Sequence, residues 1–235
     1  MLDRLLVVLP LAFAASAPLF AETAPLAPFQ AEYQVLRNGK ELGHATLALR
    51  PAGDGTWEFS ERTAGTKGMA SLLGVDIVET STFRWRDGLP QGLQYSYSQQ
   101  AAIKSKQRST DFDWRAHEAH TRDGQRDWTA PLDRTAMDRN LVTLALMASL
   151  KNGAGELSFA VVDKDRVAEQ RYVAGARESL SLPAGNVDAV RVERRRDDSR
   201  RTTTSWFAPQ RDWLPVQIEQ QEKGDTITMR LLPAR

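Results

Sequence analysis

Phe29-Gln30-Ala31-Glu32-Tyr33-Gln34-Val35 alternates apolar and polar side chains with a period of two, the pattern of a half-buried strand. Asn38-Gly39 follows, the strongest short-range signal for a tight hairpin. Glu41 to Arg50 reads as the returning strand, with Ala45, Leu47 and Leu49 on one face, and Gly53-Asp54-Gly55 turns the chain into a third strand from Thr56 to Thr63. Consecutive strands joined by tight turns predict a β-meander.

The same grammar continues outward. Asp76 to Arg86, a turn at Asp87-Gly88, Gly92 to Gln99, Lys104 to Trp114 and short segments flanking Asp123-Gly124 repeat it. So do Glu156 to Val162, Arg166 to Val173, Glu178 to Leu182, Val187 to Arg195, Thr202 to Phe207, Val216 to Gln221 and Thr226 to Leu232. Turn signals about every 8 to 12 residues predict a mainly β fold: a single curled antiparallel sheet or open barrel.

One segment breaks the period. From Ala136 to Lys151, Met137, Leu141, Leu144, Ala145 and Ala148 follow helical spacing, with Asp133 or Thr135 as N-cap and Asn152-Gly153 as the stop. Leu146, Met147 and Leu150 widen the apolar surface beyond one stripe, so this principal helix is expected to be covered on more than one side, as a curved sheet wrapped around it would do. Gly65 to Gly74 reads as an apolar loop or single helical turn, either packed under the sheet or serving as a flap at a cavity mouth.

The N-terminus places the protein. Arg4 precedes an apolar run from Leu5 to Phe20, broken by Pro10 and Pro18, which has the composition and length of a cleavable export signal. The prolines argue against a retained membrane anchor. Small Ala21 predicts cleavage after it, giving a signal peptide over 1–21, a single antiparallel β domain over 22–235 and a periplasmic location. The chain has no cysteine, which excludes a lipid anchored through an N-terminal cysteine, disulfides, and thiolate catalysis or ligation. Its 31 basic and 30 acidic side chains argue against a nucleic-acid partner.

His117-Glu118-Ala119-His120 places its histidines three apart, on opposite faces of a strand, so no metal site is expected. His44 is a lone strand residue, and Asp111 with Asp113 reads as a solvated pair. No Gly-x-Ser-x-Gly elbow, P-loop or Gly-x-Gly-x-x-Gly fingerprint occurs, so neither catalytic residues nor a cofactor are predicted.

Two patterns remain. Trp57 with Phe59, Phe83 with Trp85, Tyr95 with Tyr97, and Phe112 with Trp114 are each two apart, so each pair shares a strand face. On neighbouring strands they would form one apolar wall, either plain sheet core or the lining of a site for an acyl chain. Arg194, Arg195, Arg196, Arg200 and Arg201 surround an Asp-Asp-Ser turn. They read either as a solvated, self-compensating hairpin tip or as contacts for phosphate or carboxylate groups of envelope molecules.

The stretch Val78-Glu79-Thr80-Ser81-Thr82-Phe83-Arg84-Trp85-Arg86-Asp87-Gly88-Leu89-Pro90, the helix Asp138-Arg139-Asn140-Leu141-Val142-Thr143-Leu144-Ala145-Leu146, and the ending Trp206-Phe207-Ala208-Pro209 through Trp213-Leu214-Pro215-Val216 resemble domain of unknown function family 3108. The resemblance implies a secreted or periplasmic protein with a curled sheet, similar in outline to the periplasmic lipoprotein carriers whose open barrels hold acyl chains. It implies no activity and no functional residues.

The first expectation is therefore a non-enzymatic periplasmic protein that binds a lipid-like or amphipathic ligand on the concave face of its sheet. A structural or interaction module in envelope assembly is the alternative, recognised by a filled concave face. A hydrolase of envelope polymers is the third, recognised by converging carboxylates or a Ser-His pair.

Overall fold

The computed structural model describes residues 24–234 apart from 73, 103–104 and 197–200. The export signal predicted over Met1 to Ala21, the cleavage predicted after it, and Arg200 lie outside the described residues. The chain forms β1 (Phe29–Arg37), β2 (Lys40–Gly53), β3 (Thr56–Gly65), the short helix α1 (Gly68–Leu72), β4 (Asp76–Arg86), β5 (Leu89–Gln100), β6 (Lys106–Asp113), β7 (Glu118–Asp123) and β8 (Arg126–Pro131). Helix α2 (Val142–Lys151) follows, then β9 (Glu156–Asp163), β10 (Arg166–Leu182), β11 (Gly185–Arg195), β12 (Arg201–Ala208), β13 (Leu214–Glu222) and β14 (Asp225–Leu231).

Asn38 and Gly39 both take positive φ, 50° and 77°, the backbone that lets a two-residue turn follow the twist of β1 and β2. Repeated tight turns give a meander, and all fourteen strands form one antiparallel sheet in the order β8-β7-β6-β5-β4-β3-β2-β1-β14-β13-β12-β11-β10-β9. β1 sits mid-sheet because it pairs with β14 as well as β2, through partners such as Tyr33 and Leu231. The sheet curls nearly into a barrel.

Its two edges, β8 and β9, are consecutive in the chain on either side of α2, and the lead-in to α2 bridges them. Met137 donates to the Ala160 carbonyl at 3.0 Å and accepts from Val162 N at 2.9 Å, while Gly92 N donates to the Ala136 carbonyl at 3.1 Å. Ala160, Val162 and Val167 pack on Phe112, Ala119, Leu132 and Ala136, so one edge of the sheet overlaps the other.

This bridging corrects the predicted start of the helix. The periodicity places it at Ala136, whereas α2 begins at Val142, because the backbone of residues 136 and 137 is already bonded to neighbouring strands. Asp138, rather than Asp133 or Thr135, supplies the side-chain acceptor: its Oδ1 takes Asn140 N at 2.9 Å and Leu141 N at 3.3 Å. A second correction concerns β10, one 17-residue strand where two were predicted, because Ala174 to Arg177 forms a register shift that hides its continuity.

α2 buries Val142, Leu144, Ala145, Leu146, Met147, Ala148 and Leu150. A helix apolar on nearly every side needs cover all round. It finds that cover from both halves of the sheet, in one core cluster with Leu47, Leu49 and Phe59 from one half and Phe159, Val192 and Phe207 from the other. The concave side is thus occupied by the protein's own helix. α1 sits beyond the end of β3, where a Cβ on Gly65 would fall 2.7 Å from the Ala70 carbonyl, and its Leu72 is exposed.

Candidate functional site

The aromatic pairs do not form one wall; the structure divides them. Phe59, Phe83 and Trp85 lie in the main core, with Phe83 and Trp85 edge to face at 5.1 Å and Trp57 against Trp85 at 6.4 Å. Phe112 belongs to the seam cluster and stacks with Trp114, whose Nε1 donates to the Gly92 carbonyl at 2.7 Å. Tyr95 and Tyr97 join neither cluster and enter a polar network.

Strand register builds that network. Leu47, Glu61, Glu79, Tyr97, Arg108 and Asp123 lie directly opposite one another along β2, β3, β4, β5, β6 and β7, so all six share a face. Leu47 is in the core, and the face is therefore the concave one. From the α2 lead-in, Arg139 reaches Glu79 with both arms of its guanidinium, Nη2 to Oε1 at 2.8 Å and Nε to Oε2 at 2.9 Å. Tyr95 donates to the same Oε2 at 2.8 Å, and Arg139 lies over the Tyr97 ring at 4.9 Å. Beside them Arg108 is paired with Asp123.

One layer deeper, Asp138 Oδ1 also accepts from Ser81 Oγ at 2.8 Å, while Asn140 Nδ2 donates to Ser81 Oγ at 3.1 Å and to the Phe59 carbonyl at 3.2 Å. Burial pushes the Asp138 carboxyl up to about 7, against the pull of its own hydrogen bonds. Glu61 also rises to about 7, first through burial and then through the neighbouring Glu79 charge, with Arg139 offsetting part of it. For Arg139, Glu79 and Tyr95 outweigh burial and strengthen the guanidinium's hold on its proton.

Most of these groups are spent on one another. They fasten the entry of α2 to β3, β4 and β5, which is a structural brace. Sequence reading missed Glu61, Glu79, Ser81, Asp138, Arg139 and Asn140 as a set. The available signal was parity: Glu61 continues Trp57 and Phe59, and Glu79 with Ser81 leads into Phe83 and Trp85, so these polar residues share the aromatics' inward face.

The arginine hairpin is arranged the other way. Arg194 lies opposite Tyr172, a core residue, and so turns inward, whereas Arg191 and Arg195 have the other parity. Arg191 is neutralised by Glu193 and Glu178. The Nε of Arg194 is buried without a hydrogen bond among the described residues. Arg196 is half-buried and spends Nη1 on the Arg201 carbonyl at 2.8 Å; burial first, then Arg194 and Arg201, weaken its hold on its proton. Arg201 faces Glu222 at 3.7 Å, and Arg195 is exposed. Among the described residues neither Arg194 nor Arg196 has a carboxylate in ion-pair range.

The histidines sit apart from both places. His44 and His120 are exposed beside Glu41 and Glu118, at 3.7 and 3.6 Å, and His117 occupies a turn with φ of 58°. A groove of about 430 Å³ is lined by Ser96, Ser98, Gln107 and Ser109 together with Tyr97 and Arg108 from the polar network. Asp111 and Asp113 are exposed, and Asp113 accepts from Arg115 N and Ala116 N in the following turn.

A family model described as a protein of unknown function, DUF3108, matches residues 29–232. Among solved structures the chain is similar to a beta-barrel-like protein of domain of unknown function DUF1849 from Brucella abortus, with a TM-score of 0.53 and 12% identity over 90% of this chain and 98% of that one. That likeness is one of fold. No curated protein matches the chain.

Proposed function

The chain belongs to the DUF3108 family of proteins of unknown function, and from that premise we propose a non-enzymatic, exported protein of the cell envelope. It works as an interaction module that docks on an anionic partner through the β11–β12 hairpin. The observation carrying this reading is inward-turned Arg194 with half-buried Arg196 beside it, neither with an acidic partner in ion-pair range among the described residues. Unpaired guanidiniums half out of water are costly unless an anion completes them.

Two features favour docking over carriage of an acyl chain. Helix α2 fills the concave side, so a chain would have to displace Leu144 and Met147 from the core. Phe59 and Phe83, proposed from sequence as lining, are 0% exposed.

Cosedimentation of the purified protein with bacterial envelope fractions across a salt series tests the proposal. Binding that weakens with salt and is lost in Arg194→Gln with Arg196→Gln is expected. Salt-independent binding, unchanged binding by the double variant, or an acyl chain copurified against α2 overturns it.

A second reading, hydrolysis of an envelope polymer, is favoured by Glu61 standing opposite Glu79 with its carboxyl raised to about 7. A general acid needs such a value near neutral pH. Turnover of envelope polysaccharide that Glu61→Gln abolishes would support it, and an unchanged rate in that variant would remove it.

A further inference from the structure

We infer that Arg194 and Arg196 form a binding fork for a phosphate group, which rests on the docking role proposed for this hairpin and names its chemistry. The register across β10 and β11 sets Arg194 opposite Tyr172, on the face that leads into the core through Val192 and Phe159. A guanidinium there gives up part of its hydration, and its Nε receives nothing in return among the described residues. Arg196, just past the end of β11, acts electrostatically on Arg194 and Tyr172, and its bond to the Arg201 carbonyl is its one hydrogen bond among the described residues.

Among the described residues, the acidic side chains nearest the hairpin are committed elsewhere. Glu178 and Glu193 serve Arg191, whose parity is opposite to that of Arg194. Glu222 lies 3.7 Å from Arg201 and acts on Arg196 through space, without an ion pair in range among the described residues. Tyr172, opposite Arg194, donates its hydroxyl hydrogen to Gln170 Oε1 at 2.9 Å. What the fold brings together is two neighbouring guanidiniums with a surplus of donors and of positive charge.

The missing counter-charge has a definable shape. A single carboxylate offers one charge and two oxygens in a plane, enough for one guanidinium. A phosphate group offers three or four oxygens in a tetrahedron and up to two charges, so it can engage two planar forks together. The group could belong to free phosphate or to a lipid headgroup, since both present the same oxygens.

The test titrates the purified protein, by calorimetry, with inorganic phosphate in one arm and with vesicles containing phosphatidic acid in the other; diacylglycerol vesicles serve as the control without phosphate. Saturable binding in either arm is expected, weakened roughly tenfold or more by Arg194→Gln with Arg196→Gln and unaffected by Arg191→Gln. Arg194→Lys keeps the charge but loses the fork, and it should bind more weakly than the native protein while folding as it does, by circular dichroism. Binding in the phosphate arm identifies the free ion, and binding in the vesicle arm alone identifies the headgroup. Silence in both arms, or equal binding by the double variant, overturns the inference. If envelope association still depends on Arg194 and Arg196 while both arms are silent, the docking role stands and only the phosphate assignment falls.

Discussion

Arg139 holds Glu79 across 60 positions of sequence with two parallel bonds, at 2.8 and 2.9 Å, and Tyr95 completes the same carboxylate. Removing Arg139 leaves Glu79 facing Glu61 with one hydrogen bond instead of three. Because the Arg139 side chain is 46% exposed, solvent screens part of this loss. Arg139→Ala is expected to cost about 1–2 kcal/mol in urea denaturation at pH 8. Arg139→Lys should recover only part of it, since an ammonium cannot make the paired bonds.

Asp138 makes stability depend on pH in the direction opposite to that of an ordinary salt bridge. Its carboxyl is raised from 3.8 to about 7 in the folded state, and that of Glu61 from 4.5 to about 7. Between about pH 4 and pH 7 the folded chain therefore holds protons that the unfolded chain has released. The stabilisation is complete below pH 4 and lost as pH rises through 7. Melting temperature should fall across this window and level off above it. Asp138→Asn keeps the Oδ1 acceptor for Ser81, Asn140 and Leu141, and it replaces Oδ2, which has no partner among the described residues. The variant should flatten the slope and be at least as stable as the native protein above pH 7, whereas Asp138→Ala should lose about 1 kcal/mol or more by leaving Ser81, Asn140 N and Leu141 N without this acceptor.

Local signals carried the meander, since Asn38-Gly39 and Asp87-Gly88 dictate tight turns whatever surrounds them. Closure was not legible. The pairing of Tyr33 with Leu231 joins residues nearly a whole chain apart, and nothing in either strand names the other. The helix was visible from its apolar spacing, but its start was not, because Ala136 and Met137 are claimed by strands far away in sequence. The arginines could be located but not assigned. Whether Arg194 is spent, like Arg191, or unspent depends on the register of β10 against β11, which the shift at Ala174 conceals. The brace residues were hidden because polar residues at inward positions look like irregular alternation until the register aligns Glu61 with Glu79.

Gly92 lies beside a register shift in β5, and a Cβ there would meet the Phe112 ring at 2.8 Å. The ring cannot retreat freely, because it stacks on Trp114, which is tied to the Gly92 carbonyl. Gly92→Ala should therefore cost about 1–3 kcal/mol by overpacking. Combining it with Phe112→Leu should cost less than the two single changes together, because the second change relieves the first. Chemical denaturation of the three variants gives the coupling, and strict additivity would mean that the contact does not govern this position.

Leu144 decides whether α2 is structural filling or a removable cover. It is fully buried in the first turn of the helix, within the cluster that takes side chains from both halves of the sheet. If α2 is filling, Leu144→Ala opens a cavity that rigid strands cannot collapse, and stability falls by about 2–5 kcal/mol. Leu72→Ala, at the 79% exposed position on α1, should stay within about 0.5 kcal/mol. A dry cavity lined by Leu and Phe side chains also takes up small apolar molecules, so benzene should raise the melting temperature of Leu144→Ala and leave the native protein unchanged. A Leu144→Ala protein as stable as the native one would mean that α2 packs loosely enough to leave the barrel, which would return the interior to the list of binding surfaces.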